Sequence, residues 1–299
     1  MSGHTIKVSG RELKITNPDK VLYPEAGFTK GDVIEYYWRI APVLLPHLKG
    51  RALTMKRYPN GVDEQFFYQK ESPKHRPDWV TTVPMWSEGN GRDINFTVVN
   101  SLPTLLWAAN LADLELHTSM ARARTGRRPT MMVFDLDPGA PATIVECCEV
   151  ALLIRERLAR DGLRCFPKTS GSKGLQLYAP LNTPAGYDGT KGFAHELARS
   201  MEAEHTDLVV SNMRKELRTG RVLVDWSQND YLKTTVCVYS LRARAHPTVS
   251  TPLSWDEVEH AAEHRDPERL VFDSAAVLER VARLGDLFEP VIKLRQKLP

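Results

Sequence analysis

Short apolar runs alternate along the chain with longer segments of helical periodicity. The clearest helix follows Thr29, which has Asp32 three residues later as in a capping box, and its apolar face extends from Val33 to Leu48. The run 130–134 is continuously apolar, which is typical of a strand buried on both faces. The same patterns predict further helices at 102–112, 142–160 and 190–203, and strands at 11–16, 52–57, 164–168, 174–179, 222–226 and 233–239.

This alternation indicates an α/β (α+β) fold in which mixed central β-sheets are flanked by helices. Residues 86–93 are expected to form an exposed, mobile loop, and the last 45 residues are expected to be helical. No repeat or low-complexity linker marks a strong boundary. We therefore expect a single domain over residues 1–299, with an N-terminal part (1–60), a core (100–250) and a helical C-terminal part (251–299).

The composition is that of an ordinary soluble globular protein. Of 299 residues, 42% are hydrophobic and 26% are charged, which argues against disordered, collagen-like and coiled-coil proteins. No apolar run approaches the roughly 20 residues that span a bilayer, and residues 1–5 do not start a signal peptide, so we expect a cytoplasmic protein. The four cysteines form no Cys-x-x-Cys pair and are expected to be buried free thiols.

Positive charge is distributed unevenly along the chain. The net charge is only +3, but segment 251–299 holds ten acidic and seven basic residues and so carries −3, which leaves +6 on residues 1–250. Any one basic cluster is typical of a solvated face, whereas several together favour a polyanionic partner. The clusters are Lys56 and Arg57; Arg122, Arg124, Arg127 and Arg128; Arg214, Lys215, Arg218 and Arg221; and Arg242 and Arg244.

Two carboxylates end the apolar run 130–134. Because side chains at i and i+2 of a strand project the same way, Asp135 and Asp137 would repel each other unless a cation lay between them. Asp225 ends a second apolar strand, so three carboxylates could surround a two-metal centre of the kind used in phosphoryl transfer. The alternatives are a surface Asp-x-Asp turn, an aspartate-nucleophile phosphatase and a sugar-nucleotide transferase.

The segment Thr169-Ser170-Gly171-Ser172-Lys173-Gly174 lies between two predicted strands. Glycine lets the backbone approach a phosphate, the hydroxyls donate hydrogen bonds and the lysine supplies charge. It is not a Walker A loop, because the Gly-Lys-Ser/Thr spacing is missing. The alternative is a plain Gly/Ser hairpin.

Seven blocks, in order, carry a resemblance that covers almost the whole chain. They are TNPDKVLYP (16–24), KRYPNGV (56–62), LELH (114–117), FDLDPG (134–139), TSGSKGLQLY (169–178), VDWSQN (224–229) and YSLRAR (239–244). Together they resemble the polymerase domain of bacterial non-homologous end-joining ligase D, within the archaeo-eukaryotic primase superfamily. The resemblance implies a primase-polymerase-like catalytic core and a template-directed nucleotidyltransferase that extends a DNA 3′ end, with some preference for ribonucleotides.

The resemblance also implies site residues. Asp135, Asp137 and Asp225 would be the catalytic residues and would bind two divalent ions, Mn²⁺ or Mg²⁺. The nucleoside triphosphate would be bound by Lys56, His117, Ser170, Lys173, Gln176, Gln228, Lys233 and Arg242. A downstream DNA 5′-phosphate would be bound by Asn17, Lys20 and Lys30. Template and other DNA contacts would come from Arg57, Phe66, Phe67, Arg218 and Arg244. Core packing is the alternative for Phe66 and Phe67.

The implied partners are gapped or broken 5′-phosphorylated DNA and nucleoside triphosphates, and in addition an ATP-dependent DNA ligase and an end-binding Ku-type protein. We expect a bacterial nucleoid-associated location and no membrane partner. Because the chain ends after the polymerase region, we expect no fused ligase. End joining, excision-repair gap filling and priming share this chemistry, and the residues do not choose among them.

One position departs from the family pattern. The family usually has histidine where this chain has Gln176, and a neutral amide cannot carry the charge of that histidine. We therefore expect modestly weaker triphosphate binding, which histidine at position 176 would restore. A DNA-end-binding module with weak catalysis is the main alternative function. The phosphatase alternative is disfavoured because Pro138 and Gly139 follow the second aspartate where that family has Gly-Thr.

Overall fold

The computed structural model describes residues 3–126 and 128–299, so Arg127 of the second basic cluster lies outside the described residues. The helices are α1 (Lys30–Leu48), α2 (Leu102–Asn110), α3 (Ile144–Arg160), α4 (Tyr187–Glu204), α5 (Trp255–His264), α6 (Ser274–Leu284) and α7 (Glu289–Lys293). The strands are β1 (Gly3–Val8), β2 (Arg11–Thr16), β3 (Val21–Tyr23), β4 (Phe28–Thr29), β5 (Ala52–Arg57), β6 (Phe67–Gln69), β7 (Thr82–Ser87), β8 (Arg92–Val98), β9 (Asp113–Thr118), β10 (Met131–Pro138), β11 (Phe166–Thr169), β12 (Leu175–Pro180), β13 (Val209–Val210), β14 (Val222–Asp225) and β15 (Thr235–Val236). The mixed α/β class predicted from the sequence is confirmed.

The chain divides into two compact units. The first unit comprises residues 1–124, 234–249 and 273–285, and the second comprises 125–233, 250–272 and 286–299. Neither unit is continuous in sequence. The prediction of a single domain with parts 1–60, 100–250 and 251–299 stays a prediction.

The first unit is built on a sheet of order β15-β9-β5-β8-β7, with β6 paired to β5. Helix α1 begins at the predicted capping box, in which Thr29 and Asp32 satisfy each other's backbone N–H groups. The buried face of α1 includes Val33, Ile40 and Leu44, and the Tyr37 hydroxyl donates to the Leu114 carbonyl 2.7 Å away on β9. The helix therefore fixes β9, which carries His117.

The second unit is built on a sheet of order β11-β12-β10-β14-β13. Phe134 and Leu136 of β10 lie in its apolar core, together with residues of α3 and α4. Because side chains alternate along a strand, Asp135 and Asp137 project from the opposite face of β10. The cysteines are free and buried, as predicted, and burial raises the pKa of Cys148 and Cys165 to about 12.

Three sequence predictions need correction. Residues 86–93 form the closed end of the β7–β8 hairpin, in which Trp86 pairs with Asp93 and Ser87 pairs with Arg92. The turn itself is a 3-10 helix, Glu88–Asn90, that ends at Gly91 with a φ of 59°. The strand predicted at 233–239 shortens to β15, and the carboxylates Asp135 and Asp137 lie within β10 rather than after it.

Among the described residues, no helix is both long enough and apolar enough to cross a bilayer.

Candidate active site

A row of four polar side chains crosses the sheet of the second unit. Asp135 on β10 is opposite Gln176 on β12 and opposite Asp225 on β14, and Gln176 is in turn opposite Lys168 on β11. Residues directly opposite each other on neighbouring strands project from the same face. Strand pairing thus brings Asp135 and Asp225, 90 positions apart in sequence, side by side. We call Lys168, Gln176, Asp135 and Asp225 the polar row.

The carboxylates of the polar row repel one another. Burial, and then the neighbouring charges of Asp137 and Asp225, raise the pKa of Asp135 well above its usual range, against a hydrogen bond from Gln176 and the charge of Lys168. A hard divalent cation would remove this repulsion, and carboxylate oxygens are the ligands that Mg²⁺ and Mn²⁺ prefer. The donor set therefore fits the implied ions.

Asp225 is engaged by the residues that follow it. One of its oxygens accepts hydrogen bonds from the Ser227 backbone N–H (2.9 Å) and hydroxyl (2.5 Å), and the other accepts from Gln228 Nε2 (2.8 Å). Lys233 Nζ in turn donates to the Ser227 hydroxyl at 2.5 Å. Within the described ranges, no three Asp, Glu, His or Cys side chains stand close enough to hold a metal ion as they are placed.

The loop between β11 and β12 is tied to itself. The Ser170 hydroxyl accepts hydrogen bonds from the backbone N–H groups of Ser172 and Gly174, both at 3.2 Å, whereas Lys173 is exposed. A Cβ atom on Gly174 would lie 2.1 Å from the Leu136 carbonyl oxygen, so only glycine lets this loop approach β10. The loop between β11 and β12 thus carries the exposed Lys173 close to β10, the strand that holds Asp135 and Asp137.

Gly139 holds a second segment against the end of β10. A Cβ atom there would lie 2.0 Å from the Arg218 carbonyl oxygen, and the Gly139 N–H donates to the Arg221 carbonyl at 2.8 Å. The Arg218 guanidinium donates to the Met213 carbonyl at 2.7 Å. This arrangement anchors the basic segment that carries Arg214, Lys215, Arg218 and Arg221 against the end of β10.

A second polar cluster lies in the first unit, around the buried carboxylate of Glu115. Its Oε1 lies 3.2 Å from Lys56 Nζ, and its Oε2 lies 3.0 Å from His117 Nε2 and 3.3 Å from Arg242 Nε. Burial opposes ionisation, but the His117 hydrogen bond and the charges of Arg242 and Lys56 hold the pKa of Glu115 well below its usual range. Burial lowers the pKa of His117, against the attraction of Glu115. We call these four residues the Glu115 cluster.

Exposed aromatic rings stand beside the Glu115 cluster. Phe66 is 49% exposed, Phe67 is 44% exposed and Tyr68 is 57% exposed, so core packing, the alternative for the phenylalanine pair, is wrong. Lys56 Nζ lies 4.4 Å from the centre of the Phe66 ring, and the Arg57 guanidinium lies 5.1 Å from that of Phe67. Rings presented in this way suit the stacking of unpaired bases.

The residues predicted to bind a 5′-phosphate meet at the start of α1. Lys20 Nζ donates to Asn60 Oδ1 at 2.8 Å, whereas Lys30 is buried and donates to the Thr16 hydroxyl (3.1 Å) and the Asn110 carbonyl (3.2 Å). Burial, and then the charge of Lys20, lower the pKa of Lys30. The Asn17 carbonyl closes the turn by accepting the Lys20 N–H. Arg244 is exposed.

Comparison with known proteins shows which family the chain belongs to. The family model "LigD, primase-polymerase domain" matches residues 29–288. The chain belongs to the LigD primase-polymerase domain family. A solved structure, the polymerase domain from Mycobacterium tuberculosis ligase D in complex with DNA, superposes with a TM-score of 0.88 at 40% identity, and the match covers 95% of this chain and 99% of that one.

Full-length relatives are longer than this chain. The multifunctional non-homologous end joining protein LigD of Mycolicibacterium smegmatis is 41% identical over 283 residues, which are 93% of this chain and 36% of that protein. The bifunctional LigD protein of Bacillus subtilis is 32% identical over 275 residues, which are 92% of this chain and 43% of that protein. The chain therefore spans about two fifths of these relatives or less.

The predicted site residues fall into two groups. The second unit holds Asp135, Asp137, Asp225, Ser170, Lys173, Gln176, Gln228, Lys233 and Arg218, whereas the first unit holds Lys56, His117, Arg242, Arg57, Phe66, Phe67, Asn17, Lys20, Lys30 and Arg244. The roles assigned to them stay predictions.

Two residues of these polar groups, Glu115 and Lys168, were not predicted as site residues. The signal for Glu115 was present, since a carboxylate between two leucines in a strand, two residues before His117, must find buried partners. Lys168 carried no such signal, because only the strand pairing places it opposite Gln176.

Proposed function

We propose that this chain is a DNA-directed nucleotidyltransferase of the LigD primase-polymerase type. It extends a DNA 3′ end at a short gap or at a double-strand break in end joining. The observation that carries the proposal is the pairing of Asp135 with Asp225 across β10 and β14, with Asp137 on the same face, in a chain of this family. The solved relative is a polymerase domain in complex with DNA, which supports a DNA substrate.

In the reaction, the 3′-hydroxyl of the primer attacks the α-phosphorus of a nucleoside triphosphate and pyrophosphate leaves. Asp135, Asp137 and Asp225 would hold two divalent ions, Mn²⁺ or Mg²⁺, which supply Lewis-acid stabilisation of the attacking and leaving oxygens. A ribonucleotide preference is part of the proposal, on the resemblance alone.

The side chains around the carboxylates have distinct tasks. The exposed Lys173 supplies a positive charge for the triphosphate, on a loop that Ser170 holds in shape. Gln228 and Lys233 fix Asp225 directly and through Ser227. In the first unit, Glu115 gathers Lys56, His117 and Arg242 into one preformed group of phosphate- and sugar-binding side chains.

DNA recognition is assigned to the exposed rings and the basic residues. Phe66 and Phe67 stack on unpaired bases, with Arg57 and Lys56 beside them. Asn17, Lys20 and Lys30 bind the downstream 5′-phosphate, and Arg218 and Arg244 contact DNA. A ligase and an end-binding Ku-type protein are the proposed partners, because the relatives are named as non-homologous end joining proteins.

The deciding experiment is primer extension on a one-nucleotide gap with a 5′-phosphate, in Mn²⁺, with ribo- and deoxyribonucleotides compared. We expect extension by the parent chain and none by Asp135→Asn, which keeps the side-chain size but loses the charge. Asp188→Asn, an exposed aspartate in the first turn of α4, is the matched control and should retain full activity. Extension by Asp135→Asn at the parent rate would refute the catalytic assignment. DNA binding by the parent chain without any extension would favour the end-binding module instead.

A further inference from the structure

Lys168 occupies one end of the polar row and takes no part in the chemistry proposed above. It is fully buried, with 0% of its surface exposed, so it cannot touch DNA or a nucleotide. Its ammonium donates to Gln176 Oε1 at 2.5 Å and to the Ser250 hydroxyl at 2.6 Å, and it lies 5.4 Å from the centre of the Tyr178 ring. A buried ammonium costs several kcal/mol unless its surroundings compensate it, so its presence here calls for a physical role.

The chemistry of lysine fixes which way the Gln176 amide points. An ammonium can only donate, so the amide must turn its oxygen towards Lys168. The amide NH₂ group then faces the other neighbour in the polar row, and Gln176 donates a hydrogen bond to the carboxylate of Asp135. A carboxylate can only accept, so both hydrogen bonds run in one direction along the row, from Lys168 to Gln176 and from Gln176 to Asp135.

Loss of the ammonium would weaken this direction. The amide oxygen would then keep only the long contact from the Tyr178 hydroxyl, at 3.4 Å, so the amide would be held less firmly in place. Ser250 does not replace the ammonium, because its hydroxyl donates to the Thr169 carbonyl at 3.0 Å. The orientation of Gln176, and with it that of Asp135, is therefore set mainly by Lys168, whose contact with the amide oxygen is the shorter of the two.

We propose that Lys168 is a positioning residue that acts through the Gln176 amide to orient the Asp135 carboxylate for binding a divalent ion. The proposal rests on the proposed function, since it deepens the role of Asp135 in that site.

The first test is free of metal and substrate. Proton NMR of the parent chain should show the Gln176 side-chain NH₂ as a resonance protected from exchange, assigned by its absence in Gln176→Met. Lys168→Met keeps the length and the apolar stem but removes the ammonium, and it should abolish this protection. Ser250→Ala, the matched control, removes the second contact of Lys168 and should leave the protection in place. Protection that persists in Lys168→Met would overturn the proposal.

The second test is a double-mutant cycle on Mn²⁺ affinity, measured by calorimetry without nucleotide or DNA. Partners behind a metal ligand typically contribute about 10–100-fold to affinity, so we expect Lys168→Met to weaken Mn²⁺ binding about tenfold. In the Gln176→Met background the same change should have no further effect, because the intermediary is gone. Equal losses in both backgrounds would show that Lys168 acts independently of Gln176, and Mn²⁺ binding by Lys168→Met as tight as in the parent would show that Lys168 has no role in ion binding. Either result would overturn the proposal.

The two tests separate this proposal from the proposed function. A parent chain that binds Mn²⁺ through Asp135 but does not extend primers would refute the polymerase function and leave the cycle decisive for Lys168. If the parent binds no Mn²⁺, the metal-binding role of Asp135 is wrong, and a proposal that needs this role is overturned with it. Thermal unfolding of each variant shows whether it is folded. If Lys168→Met does not fold, Lys168→Gln, whose side chain is also uncharged, takes its place in both tests.

Discussion

At the scale of single residues, one buried carboxylate organises the Glu115 cluster. In the first unit, Glu115 gathers two basic side chains and an imidazole at 3.0–3.3 Å, and its backbone neighbour on β5 is Lys56 itself. Removing the carboxylate would leave Lys56 and Arg242 close together without their shared anion. Breaking a buried ion pair in this way is far more costly than never having formed it.

We predict that Glu115→Gln destabilises the chain by about 3–5 kcal/mol at pH 7, as is usual when one partner of a buried pair is removed. The folded pKa of Glu115 lies below its ordinary value of 4.5, so its contribution is complete above about pH 4.5 and is lost as the pH falls towards the folded pKa. The parent chain should therefore lose more stability between pH 5 and pH 3 than the variant does. Urea unfolding across this range measures both quantities.

The matched control for Glu115→Gln is Glu71→Gln. Glu71 pairs with Arg92 in the same unit, but both side chains are about half exposed, so solvent screens the pair. The urea midpoint for unfolding of Glu71→Gln should hardly differ from that of the parent chain at any pH. A Glu115→Gln chain that is as stable as this control would show that the Glu115 cluster is not held by the carboxylate.

At the scale of elements, the sequence predicted the features that depend on residues close together in the chain. The start of α1 followed from Thr29 and Asp32, because a capping box depends on residues three positions apart. The hairpin at 86–93 was missed because Gly89, Asn90 and Gly91 favour a loop, while the pairing of Trp86 with Asp93 is decided by the partner strand. Asp135 and Asp137 could be predicted as a pair, but the polar row could not. Its members lie on four strands, and only the order β11-β12-β10-β14 makes them neighbours.

We predict that Gly174→Ala destabilises the chain by about 1–3 kcal/mol, the range for forcing an extra methyl into a packed site, and slows nucleotide addition. The added Cβ would lie 2.1 Å from the Leu136 carbonyl oxygen, so the Ser170–Lys173 loop or β10 must shift. Thermal unfolding and single-turnover extension would measure the two effects. Because Lys173 moves with the loop, the apparent nucleotide affinity should fall as well.

Gly192→Ala is the control for Gly174→Ala. Gly192 lies inside α4 and a Cβ there meets nothing within 4 Å, so alanine should stabilise the helix by about 0.5–1 kcal/mol without changing extension. If Gly174→Ala instead behaved like Gly192→Ala, the tight approach of the loop to β10 would have no bearing on the site.

At the scale of the whole molecule, the distribution of charge matters more than its sum. The chain carries only +3, but residues 1–250 carry +6 and residues 251–299 carry −3. This asymmetry was visible in the sequence, whereas the division into two discontinuous units was not, because each unit recruits segments from distant parts of the chain. Contacts with DNA phosphates should therefore come from the basic 1–250 region, and each contact should add to the salt dependence of binding.

We predict that Lys20→Ala weakens binding to gapped DNA and lowers the slope of log affinity against log salt by about 1, because one phosphate contact is lost. The loss should appear only when the gap carries a 5′-phosphate, since Lys20 is assigned to that group together with Asn17 and Lys30. Fluorescence anisotropy over a salt series, with and without the 5′-phosphate, measures it. Lys297→Ala removes the same charge from an exposed position in the acidic segment and should leave the slope unchanged. Equal slopes for Lys20→Ala and the parent chain on phosphorylated DNA would mean that the start of α1 does not bind the phosphate, and that its lysines serve the fold alone.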